Sequence, residues 1–355
     1  MSDLLHKQGD LVGDRYQIQG YLGAGGMQEV YLALDTLLSR QVALKAPKNK
    51  SAEKRFQRSA VVSARINHTN VAKTLDYLEE GKRSYLIEEY INGADLGQIL
   101  RDTTPILDPL LVARLFHHLA KGLAASHHAD VVHRDLKPSN IMASGGKYLT
   151  DVKITDFGIA KLAAEEIDEA VKAGDSSITA SQTVIGALPY MAPEVIGSIA
   201  SADKPADIWS LGALAYELLS GNKPFGAGLK AVPAILEGKV APLASTQRQF
   251  QTTMQDVFEV IKKCLVVDPK ERLNADELVN ACEKFCYPIT DREFGVVNKF
   301  DNNSWGFIQP DQGKSIFFHV ESIFGKARLK VGDRVSFARH AGGGSDRAFP
   351  VIKVI

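Results

Sequence analysis

Five charged or amide side chains have types and spacing suited to handling phosphate and a metal ion. They occur in the motifs VALK, HRDLKPSN and DFG, and they are Lys45, Asp135, Lys137, Asn140 and Asp156. Ammonium groups neutralise phosphate, and carboxylate and amide oxygens bind hard divalent cations. A single Asp or Asn is more often a loop cap. An ordered set of such groups does not arise by chance, and positioned charges of these types suit the transfer of a phosphoryl group, which needs little covalent chemistry from the protein.

A glycine-rich stretch, GAGGMQEVY from Gly23 to Tyr31, lies between two segments of alternating apolar residues. This pattern predicts a turn that joins two strands. Glycines let the backbone approach a phosphate and present N–H groups without a Cβ in the way. Taken alone, a glycine-rich turn between strands is weak evidence, because the simplest interpretation of such a hairpin is a turn that binds nothing. Gln28 stands where a third glycine is expected, and we expect nucleotide binding to survive this change.

With APE at 192–194, these motifs make the chain resemble the eukaryotic-type Ser/Thr protein kinases, especially their bacterial members. The resemblance covers about residues 14–285. It implies that Lys45 grips the α and β phosphates of ATP and that Asn140 and Asp156 hold Mg²⁺.

The resemblance also assigns the catalytic loop and the nucleotide pocket. It implies that Asp135 accepts or orients the proton of the substrate hydroxyl, and that Lys137 steadies the γ-phosphate. The residues expected to bind the cofactor are Leu22, Gly23, Ala24, Gly25, Gly26, Val30, Lys45, Glu89 and Ile91.

Three further residues have structural roles by the same resemblance. Glu194 and Arg272 are expected to form a buried ion pair that fastens the activation segment to the large lobe. Asp207, in ADIWSLG, is expected to brace the catalytic loop.

Two departures from the family concern the partner of Lys45. Ser59 takes the place of the helix glutamate that usually pairs with this lysine. Glu88 takes the gatekeeper position at the back of the adenine pocket, where a buried carboxylate without a partner is costly. We hypothesise that Glu88 and Lys45 pair across adjacent strands; the alternative is a solvated Glu88, with the alignment displaced by one residue.

A third departure, Ala187 in GALPYMAPE, replaces a threonine whose hydroxyl contacts the catalytic Asp and Lys. One such hydrogen bond contributes about 1 kcal/mol, rising to about 1.5–3 kcal/mol with a charged partner. We expect reduced activity rather than its loss.

Residues 162–182 are polar and acidic, then rich in Ser and Thr, which predicts a mobile loop that can include a short helix. A phosphate there would pair with Arg134 and order the segment. An unmodified Ser-rich linker is the alternative for any single residue. The phosphorylation candidates are Ser176, Ser177, Thr179, Ser181 and Thr183.

The final segment resembles a cold-shock domain, a five-stranded barrel of the OB type. Its motifs WGFI and IFFH put Trp305 and Phe307 on one face of a strand, and Phe317 and His319 on the same face of the neighbouring strand. These rings, with Lys299, form a platform on which the bases of single-stranded RNA or DNA would stack. The alternative is a barrel used only for protein contacts.

The predicted fold class is α+β: a bilobal protein-kinase fold with a C-terminal five-stranded OB-type β-barrel. The predicted domain limits are an N-lobe at 14–91, a C-lobe at 92–285, a linker at 286–292 and a cold-shock-like domain at 293–355. The N-lobe is expected to be a small sheet with one helix, Ala52 to Ile66.

Composition excludes several classes of protein. Lys plus Arg and Asp plus Glu both total 42, so no net field attracts nucleic acid or membrane to the whole chain. The barrel segment, with nine basic and six acidic side chains, is the mildly basic part. Three cysteines cannot form a disulfide framework in a chain of this size, and no apolar run reaches the length of about 18 residues that spans a bilayer. A cytoplasmic protein without membrane contact is expected.

We therefore interpret the chain as a Ser/Thr protein kinase that uses ATP and Mg²⁺. Protein hydroxyls are the expected substrates, its own loop among them, and the barrel would target or regulate it through nucleic acid. The alternative is a pseudokinase that binds nucleotide weakly and serves as a scaffold for the barrel. The complete HRDLKPSN and DFG motifs oppose this alternative, and four unusual residues favour it: Gln28, Ser59, Glu88 and Ala187.

Overall fold

The protein is described here from a computed structural model, over residues 4–24, 28–48, 56–57, 60–157, 186–198, 201–325 and 327–355. It has an upper lobe, a lower lobe and a barrel, and the two-lobed arrangement predicted from the sequence is confirmed. None of the helices within these ranges is long and apolar enough to cross a membrane.

The upper lobe is built on an antiparallel sheet with the strand order β1-β2-β3-β4-β6-β5. Apolar side chains of one sheet face, such as Tyr31, Val42 and Leu44, form a core of their own. The strands are β1 Leu11–Val12, β2 Tyr16–Ala24, β3 Gln28–Asp35, β4 Arg40–Pro47, β5 Thr74–Glu80 and β6 Arg83–Glu89.

The predicted upper-lobe helix, Ala52 to Ile66, is shorter at its end than expected. Residues 56–57 and 60–63 are helical, and residues 64–65 form a turn. The N–H groups of Arg65 and Ile66 bond three residues back, to Val62 and Ser63, so the last turn tightens and the helix stops early.

The lower lobe is mainly helical, and Phe116, Trp209 and Leu214 lie fully buried in its core. Its helices are α1 Leu96–Asp102, α2 Pro109–His128, α3 Pro193–Gly197, α4 Lys204–Ser220, α5 Val232–Glu237, α6 Arg248–Cys264 and α7 Ala275–Cys282. A small sheet combines β7 Gly93–Asp95, β8 Ile141–Ser144 and β9 Asp151–Ile154.

The last segment forms the predicted barrel. Its strands are β10 Arg292–Asp301, β11 Trp305–Pro310, β12 Ile316–His319, β13 Ile323–Phe324, β14 Arg334–His340 and β15 Arg347–Lys353. Strand β13 has only two residues, and the other five have four to ten. Strand β12 also pairs with β15, which closes the sheet on itself. The prediction of a closed five-stranded barrel is confirmed.

The barrel packs directly against the lower lobe. Arg292 of β10 forms an ion pair with Asp108, and both side chains are buried. Asp108 also caps α2, because its Oδ1 accepts the N–H groups of Leu110 and Leu111 at 3.1 Å.

Aromatic rings complete this contact. Phe250 of α6 stacks on Phe349 at 5.3 Å and meets Phe324 edge-on at 5.1 Å. On another side, Phe294 of β10 packs against Tyr148, with the ammonium of Lys147 4.5 Å above its ring. A buried ion pair and aromatic contacts therefore join the barrel to the lower lobe.

Candidate active site and nucleic-acid interface

Two of the predicted site residues meet across the cleft between the lobes. Lys45 lies on β4, and its Nζ is 2.8 Å from Oδ1 of Asp156, which follows β9. Asp156 has a φ of 62°, the left-handed region that non-glycine residues enter only where their surroundings hold them. Burial alone would raise the pKa of Asp156, but the charge of Lys45 and its hydrogen bond hold that pKa below its usual value.

Glu88 is the second partner of Lys45. Its Oε2 lies 2.5 Å from Lys45 Nζ, and each side chain is only 7% exposed. Glu88 lies on β6, opposite Ala43 of the adjacent strand β4. The hypothesis that Glu88 and Lys45 pair across adjacent strands is therefore confirmed. Burial would lower the pKa of Lys45, yet the two carboxylates raise it, so the ammonium stays charged. Burial raises the pKa of Glu88, and Lys45 offsets this only in part.

Replacing Glu88 with methionine is expected to weaken binding of MgATP by about tenfold, equivalent to about 1.4 kcal/mol. Without Glu88, the ammonium of Lys45 keeps Asp156 as its carboxylate partner among the described residues and is drawn toward the predicted metal ligands. Calorimetry with the purified protein measures the change. The control is Glu79→Met, which removes an exposed carboxylate from β5 and should leave the affinity unchanged. Adding Ser59→Glu to the Glu88→Met protein should restore binding, and an unchanged affinity after Glu88→Met alone would contradict the role of Glu88.

The catalytic loop brings Asp135, Lys137 and Asn140 together. Lys137 Nζ lies 2.7 Å from Oδ2 of Asp135, and the amide nitrogen of Asn140 donates to the same oxygen at 3.0 Å. Asp207 accepts the backbone N–H groups of His133 at 2.8 Å and Arg134 at 2.7 Å. The predicted brace is thus confirmed.

The fastening pair of the lower lobe is also confirmed. Arg272 donates to both carboxylate oxygens of Glu194, at 2.8 and 3.1 Å, and to three backbone carbonyls. Such a bidentate pair fixes geometry as well as charge. It holds α3, which begins in the APE motif, against the loop before α7.

A hairpin positions the two predicted metal ligands. Asn140 immediately precedes β8, Asp156 follows β9, and the pairing of Ile141 with Ile154 puts both ligands at one end of the hairpin. The hydrogen bonds of the Asn140 side chain use its amide nitrogen, to Oδ2 and the backbone oxygen of Asp135. Among the described residues no hydrogen-bond donor contacts its side-chain oxygen, which therefore remains available as a ligand.

The donor chemistry fits a divalent ion. Within the described ranges no three His, Cys, Asp or Glu side chains form a closed metal site. One carboxylate and one amide oxygen form an open set, of the kind that binds Mg²⁺ together with phosphate and water.

The predicted nucleotide pocket is described only in part. Leu22, Gly23 and Ala24 end β2, and Val30 lies on β3 opposite Lys45. Glu89 ends β6, where its carboxylate binds Lys153 at 2.7 Å, and Ile91 is buried just after the strand.

Several predicted positions lie outside the described residues. They are Gly25, Gly26, Ser59 and the phosphorylation candidates Ser176, Ser177, Thr179, Ser181 and Thr183. Ala187 is described and buried, and its expected cost to activity stays a prediction.

One residue in the cleft was not predicted as a functional group. The side chain of Gln28 donates from Nε2 to Oδ1 of Asp156 at 3.1 Å, the oxygen that also receives Lys45. The sequence showed only a missing glycine, and nothing local indicated a contact 128 residues away. The available signal was the presence of a long polar side chain at a position where the family has glycine.

The aromatic platform lies on β11 and β12. Trp305 pairs with His319 and Phe307 with Phe317, so all four side chains share one sheet face. The rings of Trp305 and Phe317 lie 6.3 Å apart at 24°, and Trp305 is 36% exposed. Lys299 Nζ lies 4.8 Å above Trp305 and pairs with Asp301.

Comparison with known proteins agrees with this geometry. Residues 16–282 match the family model of the protein kinase domain, and residues 293–354 match that of the 'cold-shock' DNA-binding domain. The serine/threonine-protein kinase PrkC of Bacillus subtilis is 32% identical over 279 residues, 77% of this chain and 40% of that protein. The serine/threonine-protein kinase PknB of Mycobacterium leprae is 33% identical over 270 residues, 74% of this chain and 41% of that protein.

The chain spans about 40% of the length of these curated relatives. The kinase model alone covers more than half of the 355 residues, and its family implies the use of ATP and a divalent metal ion. The chain therefore belongs to the protein kinase family and carries a cold-shock domain after its kinase domain.

Proposed function

We propose that this protein is a serine/threonine kinase that transfers the γ-phosphate of MgATP to protein hydroxyls. The observation that carries the proposal is the convergence of Lys45, Asp156, Asn140 and Asp135 on one cleft through the contacts given above. A bound Mg²⁺ would supply charge neutralisation for the phosphates, held by Asn140 and Asp156.

Each remaining group has one task. Asp135 accepts a hydrogen bond from the substrate hydroxyl and takes its proton, since its carboxylate is fixed by Lys137 and Asn140. Lys137 places its ammonium beside that carboxylate, where the γ-phosphate would arrive. Lys45 holds the α and β phosphates from the upper lobe. Leu22, Val30 and Ile91 would contact the base, and Gly23, Ala24, Gly25 and Gly26 would cover the phosphates.

Calorimetric titration with MgATP tests the nucleotide site. We expect one site per chain, with an affinity that falls when Mg²⁺ is chelated and in the Asp156→Ala protein. The absence of binding with and without metal would overturn the proposal.

We further propose that the barrel binds single-stranded nucleic acid through Trp305, Phe307, Phe317 and His319. The shared face, its partial exposure and the cation of Lys299 support this, because aromatic platforms with nearby positive charge bind bases by stacking. RNA and DNA are both candidate ligands.

Trp305→Ala should weaken binding of a labelled single-stranded oligonucleotide by about 5- to 150-fold, the equivalent of about 1–3 kcal/mol for one stacked base. Fluorescence anisotropy at two salt concentrations measures the affinity. Val331→Ala, which trims an exposed apolar side chain outside these strands, is the control. Equal affinities of all three proteins would favour a barrel used for protein contacts.

Other parts of the proposal concern organisation. The limits 14–285, 286–292 and 293–355 for kinase domain, linker and barrel are supported by the end of α7 at Cys282 and the start of β10 at Arg292. The chain's own Thr179, Ser181 and Thr183 are the proposed sites of autophosphorylation. A cytoplasmic location, away from membranes, completes the proposal.

A further inference from the structure

The side chain of Gln28 is a buried amide with one partner. It is 9% exposed, and Nε2 donates to Asp156 Oδ1 at 3.1 Å. Its Oε1 is buried and has no hydrogen-bond partner among the described residues. A buried acceptor left without a partner costs about 1–3 kcal/mol. Such an atom therefore needs a physical reason, and a bound ion or ligand is one.

The position of Gln28 follows from the strand pairing. Gln28 lies opposite Pro47, and Val30 lies opposite Lys45. Alternate residues of a strand share a face, so Gln28 is on the cleft face together with Lys45. A larger side chain at the third glycine position thus reaches the metal ligand of the opposite lobe.

The orientation of the amide follows from its partner. An ionised carboxylate only accepts hydrogen bonds, so the nitrogen of the Gln28 amide must face Asp156. Both amide atoms are bonded to the same carbon, which places Oε1 beside this contact. A neutral oxygen next to Asp156 is the type of donor that Mg²⁺ accepts.

We propose that Gln28 is a further ligand of the metal–triphosphate unit, contributing its amide oxygen from the upper lobe while Asn140 and Asp156 contribute from the lower lobe. This inference rests on the proposed function. It gives the upper lobe two contacts at the site, the ammonium of Lys45 and the amide of Gln28.

The test compares binding of a non-hydrolysable ATP analogue with and without Mn²⁺, by calorimetry and by the electron paramagnetic resonance of bound Mn²⁺. Gln28→Met keeps the length of the side chain and removes the amide. It should weaken binding of the metal-bound analogue by about tenfold and leave binding of the metal-free analogue unchanged. Gln28→Gly should lower the affinity for the metal-bound analogue by the same factor. Gln28→Glu keeps a side-chain oxygen, so its affinity for the analogue should still rise when Mn²⁺ is added.

If Gln28→Met and Gln28→Gly bound the metal-bound analogue as tightly as the wild type or more tightly, the inference would be overturned. The Gln28 amide would then contact Asp156 only in the absence of ligand. Failure of the wild-type protein to bind the analogue in either condition would overturn the proposed function itself. The unfolding midpoint without ligand shows that each variant is folded.

Discussion

Replacing Asp135 with asparagine is expected to slow phosphoryl transfer by about 10²- to 10⁴-fold, the range for loss of a positioned general base. The asparagine keeps the shape of the side chain and an oxygen for Lys137. It lacks the negative charge that takes the proton of the substrate hydroxyl. Binding of MgATP should stay unchanged, because Lys45, Asn140 and Asp156 remain.

Initial rates of label transfer from ATP, with nucleotide affinity measured on the same preparations, give both quantities. Asp130→Asn is the matched control, since Asp130 is an exposed carboxylate of the same lobe that pairs with Lys204. Its rate should equal that of the wild type. A wild-type rate of phosphoryl transfer in the Asp135→Asn protein would show that Asp135 is not the general base.

Replacing Arg292 with methionine is expected to lower the free energy of unfolding by about 3–5 kcal/mol, the effect of breaking a buried ion pair on one side. The change leaves Asp108 buried and charged against the barrel. We expect a loss near 3 kcal/mol, because the Asp108 carboxylate still accepts hydrogen bonds from the N–H groups of Leu110 and Leu111.

Urea unfolding followed by tryptophan fluorescence suits this test, because the chain has two tryptophans. Trp209 is buried in the lower lobe and Trp305 lies on the barrel, so removal of Trp305 leaves a probe of the lobe alone. Arg334→Met, which breaks an exposed pair with Asp311, is the control and should change stability by about 0–1 kcal/mol. Equal stabilities of the two variants would show that the Arg292–Asp108 pair does not stabilise the protein.

The predicted site residues can be named from the sequence because each lies in a short local motif that resembles one of the kinase family, and their roles stay predictions. Strands β8 and β9 then place Asn140 and Asp156 together, as an antiparallel hairpin must. The Lys45–Glu88 pair was predictable for another reason. A lysine without its usual partner and a buried carboxylate on the next strand each require an opposite charge.

Contacts between distant segments could not be predicted in this way. Asp108 and Arg292 are 184 residues apart, and the local sequence around each is compatible with solvent exposure. The sequence indicated a short linker, which allows contact between lobe and barrel without specifying it. The Gln28–Asp156 hydrogen bond was missed because it depends on how closely the two lobes approach.

The central claim is that this cleft moves the γ-phosphate of ATP to serine or threonine. Incubation of the purified chain with γ-labelled ATP, Mg²⁺ and a generic protein substrate, followed by acid hydrolysis and separation of the phosphoamino acids, tests it most directly. The account predicts labelled phosphoserine or phosphothreonine that depends on Mg²⁺ and on Asp135. Label no higher than in the Asp135→Asn protein would contradict it.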